Sequence, residues 1–368
     1  MKISRVSIWQ KDLPLKKPYW LSGGRLKFEV LDSTFVRIET DEGMSGWGEA
    51  CPWGHTYLPA HGAGIRAAAD VLAPAIIGLE PRQTGHVDRV MDLALPGHLY
   101  AKAPYDIACW DLAGQAAGLP IADLLGGRYE DATPVASSIS TAAPEEMLAE
   151  IESYRARGYR VHSAKVGADV EMDIARIRYL EENRLPEESI FYDANRAWTR
   201  AEAVTVMNTL ADLPVSFEQP CETLEDCLAV RRLTRHPMAI DERLETLGDM
   251  TRIVSQDIAE LINIKINRVG GLTKAARIRD LALAHGIAMS VMPTGGTVLA
   301  DTDAIHLAQT IPAPHRLRVW SCQEMLTVDP APGRGARVEN GLLAAPATPG
   351  LGVCPNLDWL GEPVAVYT

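Results

Sequence analysis

From about residue 127 onward the chain repeats one pattern, an amphipathic helix followed by a short apolar segment, and this repetition limits the fold more than any other feature. "PEEMLAEIESYRARG" leads to "YRVHSAKVG", "EMDIARIRYLEENRL" to "SIFYDANR", "RAEAVTVMNTLADL" to "PVSFEQP" and "TLEDCLAVRRLTRH" to "PMAIDER". "LGDMTRIVSQDIAE" then leads to "LINIKINRVGG", "TKAARIRDLALAHG" to "IAMSVMPTGG" and "ADTDAIHLAQTI" to "HRLRVWSCQE". With "ATPVASSIS" before the first helix, the strand count is eight. Strands alternating with helices of this length pair in parallel, and eight of them fit a closed α/β barrel of the TIM type better than an open sheet. No glycine-rich phosphate loop follows any strand, which removes the main nucleotide-binding alternatives.

The first third reads differently. "STFVRIET", "DEG" and "MSGWGEA" form a hairpin pattern, with "KISRVSIWQ" before it unassigned. Helical stretches follow in "GIRAAADVLAPAII", "TGHVDRVMDLAL" and "AKAPYDIACWDLAGQAAGLPIADLLGG", the last ended by a glycine pair. The expected organisation is an α+β capping domain over 1–126, a barrel over 127–345, and a Pro- and Gly-rich tail over 346–368 that packs back on the first domain.

Composition narrows the function. The chain has 368 residues, is 47% hydrophobic and carries a formal charge of −12, with no basic run, so binding to nucleic acid or an anionic membrane is not expected. The start lacks the apolar core of a signal peptide, and a cytoplasmic protein is expected. The six cysteines show no C-x-x-C spacing and point to neither a zinc site nor a redox pair.

One polar residue stands near the carboxyl end of each middle strand: Lys165, Asp193, Glu218, Asp241 and Lys265. They are 23 to 28 residues apart, one strand-helix unit each. In a barrel all five face one mouth, where barrel enzymes keep their catalytic groups. Three confined carboxylates repel one another unless a cation neutralises them, and an all-oxygen set favours Mg²⁺ over zinc or copper. Lys165 and Lys265 belong to strands two and six of eight and so face each other. A base on each side of a bound carbon is what a 1,1-proton transfer needs, through an enediolate that the metal would stabilise. Neutral lysine requires a lowered pKa, for which the metal and the second ammonium provide the expected cause.

These motifs together resemble the enolase superfamily, in particular its muconate-lactonizing-enzyme-like branch, essentially end to end. "AKAPYDIACWDLAGQAAGLPIADLLGG" is similar to that family's cap signature, "DANRAW", "FEQP" and "AIDER" to its three metal strands, and "IKINRVGGL" to its second base strand. The resemblance implies Mg²⁺ on Asp193, Glu218 and Asp241, Lys165 and Lys265 as the acid/base pair, and cap loops that choose the substrate. One departure is Ser163-Ala164-Lys165, where the branch usually has Lys-x-Lys; the site has one cation fewer. Strand seven, "SVMPTGG", carries no histidine, and the last strand, "RLRVWSCQE", lacks the Asp-x-Asp with which dipeptide epimerases hold an α-ammonium.

The last strand presents Trp320, on its inward face if Leu317 and Val319 pack against helices. With Trp20, Trp53 and Tyr57 of the cap loops it would enclose a cation that donates no hydrogen bond, such as a quaternary ammonium. Ser163, Asn195 and Thr294 complete the expected substrate set. These features predict an isomerase: a Mg²⁺-dependent racemase or epimerase acting at C2 of a proline betaine, with a homo-oligomeric assembly expected. The alternative within the same chemistry is a dehydratase of cis-3-hydroxyproline or another acid. A non-catalytic barrel is the alternative from another class, and the retention of all five polar groups speaks against it.

Overall fold

A computed structural model describes residues 1–368. Three antiparallel strands open it, β1 (Ile3–Leu21), β2 (Leu26–Thr40) and β3 (Ser45–Ala50). The hairpin expected at 33–50 is β2–β3, with Phe35 opposite Glu49 and Ile38 opposite Gly46. The long β1 is an addition to the sequence reading. Its cap-core residues alternate in two phases, Val6 and Ile8 and then Leu13 and Leu15, and all four are buried. Lysines and prolines between Lys11 and Pro18 obscure that alternation in the sequence.

Five helical segments follow, at 62–67, 69–76, 84–94, 99–117 and 121–124. The long buried helix Leu99–Ala117 ends at Gly118 rather than at the later glycine pair, because Gly118 takes the left-handed conformation (φ 70°) that releases the chain from the helix.

The barrel strands are β4 (Thr133–Ile139), β5 (Val161–Lys165), β6 (Ser189–Asp193), β7 (Ser216–Glu218), β8 (Met238–Ile240), β9 (Leu261–Lys265), β10 (Ala288–Met292) and β11 (Arg316–Trp320). They pair in parallel in chain order, and β11 closes on β4 through Val319 opposite Val135. The fold is therefore an eight-stranded parallel barrel beneath an N-terminal cap that contains an antiparallel sheet. Outward residues such as Ile262 and Ile264 join the helices in one apolar core, and the cap has a second core of its own. β12 (Leu342–Leu343) adds antiparallel to β4, and β13 (Ala365–Tyr367) adds to the free edge of β1. All six cysteines are free, and no helix is long and apolar enough to cross a membrane.

Buried carboxylates hold the cap to the barrel and to the tail, and one of them braces the barrel itself. Glu49 of β3 accepts from Ser33 Oγ (2.7 Å), Thr297 Oγ (2.7 Å) and the Thr297 backbone N–H, at the start of the barrel helix Val298–Ala308. Asp106 accepts the N–H and hydroxyl of Thr273 at the start of the helix Leu272–Ala284. At Gly271 a side chain would lie 2.4 Å from the Asp106 carboxylate, so the close approach requires glycine there. Asp111 accepts from the backbone N–H groups of Trp47 and Leu351, and Asp301 from Ser321 Oγ, Cys322 N–H and Gln323. Burial raises these four carboxyls, Glu49 and Asp106 to about 7, and Asp111 and Asp301 to about 6, against the lowering effect of their donors.

Candidate active site

A cavity at the carboxyl end of the barrel, roofed by the cap, is lined by Lys165, Asp193, Glu218 and Lys265. Asp241 lies behind this wall, buried, and reaches the cavity through its ion pair with Lys265 (2.7 Å). Strand register explains the grouping. Lys165 is opposite Asp193 and Asp193 opposite Glu218, so three inward side chains stand side by side on β5, β6 and β7. β5 and β9 are four strands apart in a ring of eight, which sets Lys165 and Lys265 on opposite sides.

Each carboxylate is turned onto a basic group, so the three do not form a ready-made ligand cage in this geometry. Asp193 accepts from Lys165, Glu218 from Arg318 Nη2 (2.8 Å), and Asp241 from Lys265 and from Arg268 Nη1 (2.8 Å). Burial and the neighbouring Asp193 raise the Glu218 carboxyl to about 8, with Arg318 opposing. At Asp241 burial is outweighed by Lys265 and Arg268, which hold it well below the usual carboxylate range.

The lowered lysine pKa is expected from a bound metal; with the carboxylates facing basic side chains instead, Lys165 shifts the other way. Burial pushes the Lys165 ammonium down, but Asp193 outweighs it and the net shift is upward. The carboxylate beside Lys165, rather than burial, controls its charge.

Backbone geometry at the strand ends is unusual. Asn195 (φ 44°), Arg196 (φ 65°) and Gln219 (φ 37°) follow β6 and β7 in the left-handed region, a costly conformation for residues other than glycine. Gln219 is held by its side chain, which accepts the N–H of Asp241 (3.0 Å) and donates to the carbonyl of Cys221 (2.9 Å). It thereby ties the loop after β7 to the loop after β8.

Of the expected substrate residues, Tyr57, Trp53, Ser163, Asn195, Thr294 and Trp320 all line the cavity. Tyr57 donates to Glu242 (2.9 Å) and accepts from Lys265 (3.1 Å), and Asn195 also donates to Glu242 (3.0 Å). Trp320 donates its indole N–H to Ser138 (2.6 Å) and meets Trp53 edge-on, and Thr294 pairs with Tyr100. Trp20 does not belong to the set. It is 41% exposed, beneath Lys27, whereas Tyr19 lines the cavity. Tyr19 continues the buried alternation of Leu13 and Leu15 and leads on to Leu21, so Trp20, between two inward residues, faces outward.

The end of the sixth barrel strand departs from simple alternation. β9 stops at Lys265, and Ile266–Val269 is a helical turn, so Asn267 is not on the face of Lys265. Its amide instead bonds the carbonyl of Glu49 and the N–H of Cys51, tying barrel to cap. Asn263 does lie in the barrel interior, but its side chain has no partner in the protein.

Residues the sequence reading passed over include Tyr19, Ser138, Arg318, Glu242 and Arg268. Arg318 was findable, since it shares a strand face with Trp320. Glu242 and Arg268 carry no periodic signal.

Residues 5–126 match the family described as mandelate racemase / muconate lactonizing enzyme, N-terminal domain, and residues 146–359 match that described as enolase C-terminal domain-like. Cis-3-hydroxy-L-proline dehydratase of Roseibium aggregatum is 44% identical over the full length of both chains. L-Ala-D/L-Glu epimerase of Bacillus subtilis is 31% identical, covering 96% of this chain and 97% of the relative. A crystal structure of an enolase-superfamily member from Roseovarius nubinhibens complexed with magnesium superposes with a TM-score of 0.96 at 50% identity, covering 100% of this chain and 99% of that one.

Proposed function

Starting from a chain that belongs to the mandelate racemase / muconate lactonizing enzyme family of the enolase superfamily, we propose that it is a Mg²⁺-dependent dehydratase of a cis-3-hydroxyproline. The observation that carries this reading is the placement of Lys165 and Lys265 on opposite sides of one cavity, with the row of carboxylates between them. The dehydratase from Roseibium aggregatum, related over its full length, supports the choice of reaction. It replaces the proline-betaine epimerase as the leading assignment, and a lyase replaces the isomerase.

Asp193, Glu218 and Asp241 suit a magnesium ion. They are oxygen donors on consecutive strands, and the raised Glu218 carboxyl reflects crowded negative charge that a divalent cation relieves. Magnesium on these three would draw them off the lysine and arginine groups they meet and offset charge developing on the substrate carboxylate.

In a cis-3-hydroxyproline the hydroxyl and the carboxylate share one face of the ring, so the α-hydrogen and the hydroxyl lie on opposite faces. Two lysines on opposite sides suit that elimination. One, as free amine, takes the α-proton; the C–H electron pair becomes the C2–C3 double bond, and the C3–O bond breaks as the other lysine delivers a proton to the departing oxygen. Water leaves, and the enamine tautomerises to the cyclic imine. Trp320 and Tyr57 supply aromatic faces for the ring nitrogen, and Asn195 Oδ1, which no protein donor reaches, is an acceptor for a ring N–H.

A second reading, C2 epimerisation of a proline betaine by the same two lysines, is favoured by one observation. Four aromatic residues, Tyr19, Trp53, Tyr57 and Trp320, surround the cavity, an enclosure suited to a quaternary ammonium. The two are separated by mass. With Mg²⁺ and cis-3-hydroxy-L-proline, loss of one water is expected. In D₂O, α-deuteration of trans-4-hydroxyproline betaine with inversion and no loss of water would favour the second reading, and inertness towards both substrates would sink both.

A further inference from the structure

Arg318 is left with more donors than the protein uses. It is 1% exposed, it lines the cavity, and its guanidinium lies 3.6 Å from the centre of the Phe191 ring. β11 and β7 are four strands apart in the ring, so the contact from Arg318 Nη2 to Glu218 crosses the barrel interior between the two lysines. Nε and Nη1 have no acceptor in the protein. A buried N–H without a partner is costly, more so on a charged group, and an oxygen acceptor brought by a ligand removes that cost. The neighbouring wall is of a different kind: Trp320, two residues along the same strand face, is aromatic, and Ser138 beside it already accepts the indole N–H.

We infer that Arg318 is a specificity-determining residue which holds the hydroxyl oxygen of a ring-hydroxylated amino acid, giving the cavity a dedicated subsite for that oxygen. The inference rests on the dehydratase reading for the identity of the oxygen: there it is the 3-hydroxyl, and the guanidinium steadies it as the C3–O bond breaks while the proton comes from a lysine. Arg318 remains charged throughout, and its role is to choose and orient the substrate.

The test is calorimetric binding with Mg²⁺ present, using cis-3-hydroxy-L-proline and L-proline against wild type, Arg318→Lys and Arg318→Met. Arg318→Lys keeps a charge for Glu218 and loses the planar donors, so it serves if Arg318→Met does not fold. Wild type is expected to prefer the hydroxylated ring about tenfold or more, and the variants to lose that preference. Equal affinity in wild type, absence of binding, or a preference that survives in both variants overturns the subsite. Turnover is read separately. For dehydration kcat/KM should fall about 100-fold in Arg318→Lys. A binding preference that depends on Arg318 without any loss of water would uphold the subsite and sink the dehydratase reading.

Discussion

The protein buries two sets of carboxylates and treats them in opposite ways. A seam set, Glu49 and Asp106 between cap and barrel, Asp111 between cap and tail and Asp301 within the barrel, is satisfied by neutral donors, namely backbone N–H groups, hydroxyls and amides. At the barrel mouth, Asp193, Glu218 and Asp241 are satisfied by lysine and arginine. Neutral donors fixed in the backbone cannot be exchanged without unfolding, so the seam set is structural. Cationic side-chain groups can give way to another cation, so the mouth set is open to chemistry. Exposure does not separate the two sets, since all seven residues are buried. The kind of partner does.

The strongest test of this contrast is at the lysines. Lys165→Ala and Lys265→Ala should each lower turnover by about 10³-fold while the circular-dichroism spectrum stays that of wild type. Loss of the folded spectrum in either variant would place the mouth set with the structural one. Next in size, Glu49→Ala or Asp106→Ala should cost about 1–3 kcal/mol of stability, read in urea titrations, because Thr297, Ser33 or Thr273 loses its acceptor. The folded fraction should keep its turnover.

Magnesium should then divide the sets by stabilisation. At about a hundred times its dissociation constant it adds about 2.7 kcal/mol, visible as a raised melting temperature that EDTA reverses. Glu218→Gln should abolish most of that increment, and Asp111→Asn, although less stable at the outset, should retain it.

A smaller effect is expected with pH. A carboxyl raised by folding keeps its proton where the unfolded chain has lost it. The folded state then binds more protons, and stability falls as pH rises. For Glu49 and Asp106 the window runs from the ordinary carboxylate value up to about 7, and for Asp111 and Asp301 up to about 6. Melting in EDTA should therefore decline between pH 5 and 8; a rise across that range would contradict the seam assignment. The last part of the decline, near pH 8, should disappear in Glu218→Gln.

Much of the barrel was legible because its signals are local and repeated. Each strand shows its alternation within a few residues, and a parallel order places Lys165, Asp193, Glu218 and Lys265 around one mouth. What escaped depends on contacts between distant segments or on a break in the periodicity. Trp20 lies on the outer face because Tyr19 continues the buried alternation of Leu13 and Leu15, and Asn267 lies off the face of Lys265 because the strand stops two residues before it. The seam carboxylates read as ordinary helix and strand residues, since their partners lie far along the chain. Arg318 is the opposite case: its inward direction was implied by Trp320, but its unfilled donors exist only in three dimensions.

The placement of β13 bears on how the molecule is made. Tyr367 pairs with Val6 and Ala365 with Ile8, and the carbonyl of Gly361 accepts the indole N–H of Trp9. The outer edge of β1 is thus covered by a segment synthesised almost a whole chain later. At about 5–20 residues per second, the nascent cap sheet waits on the order of half a minute with one edge open, a template for pairing with another chain. The helices and the barrel emerge in that interval and can close without it. The sheet over the cavity is therefore begun early and finished late, and until the last residues are made its outer edge stays open.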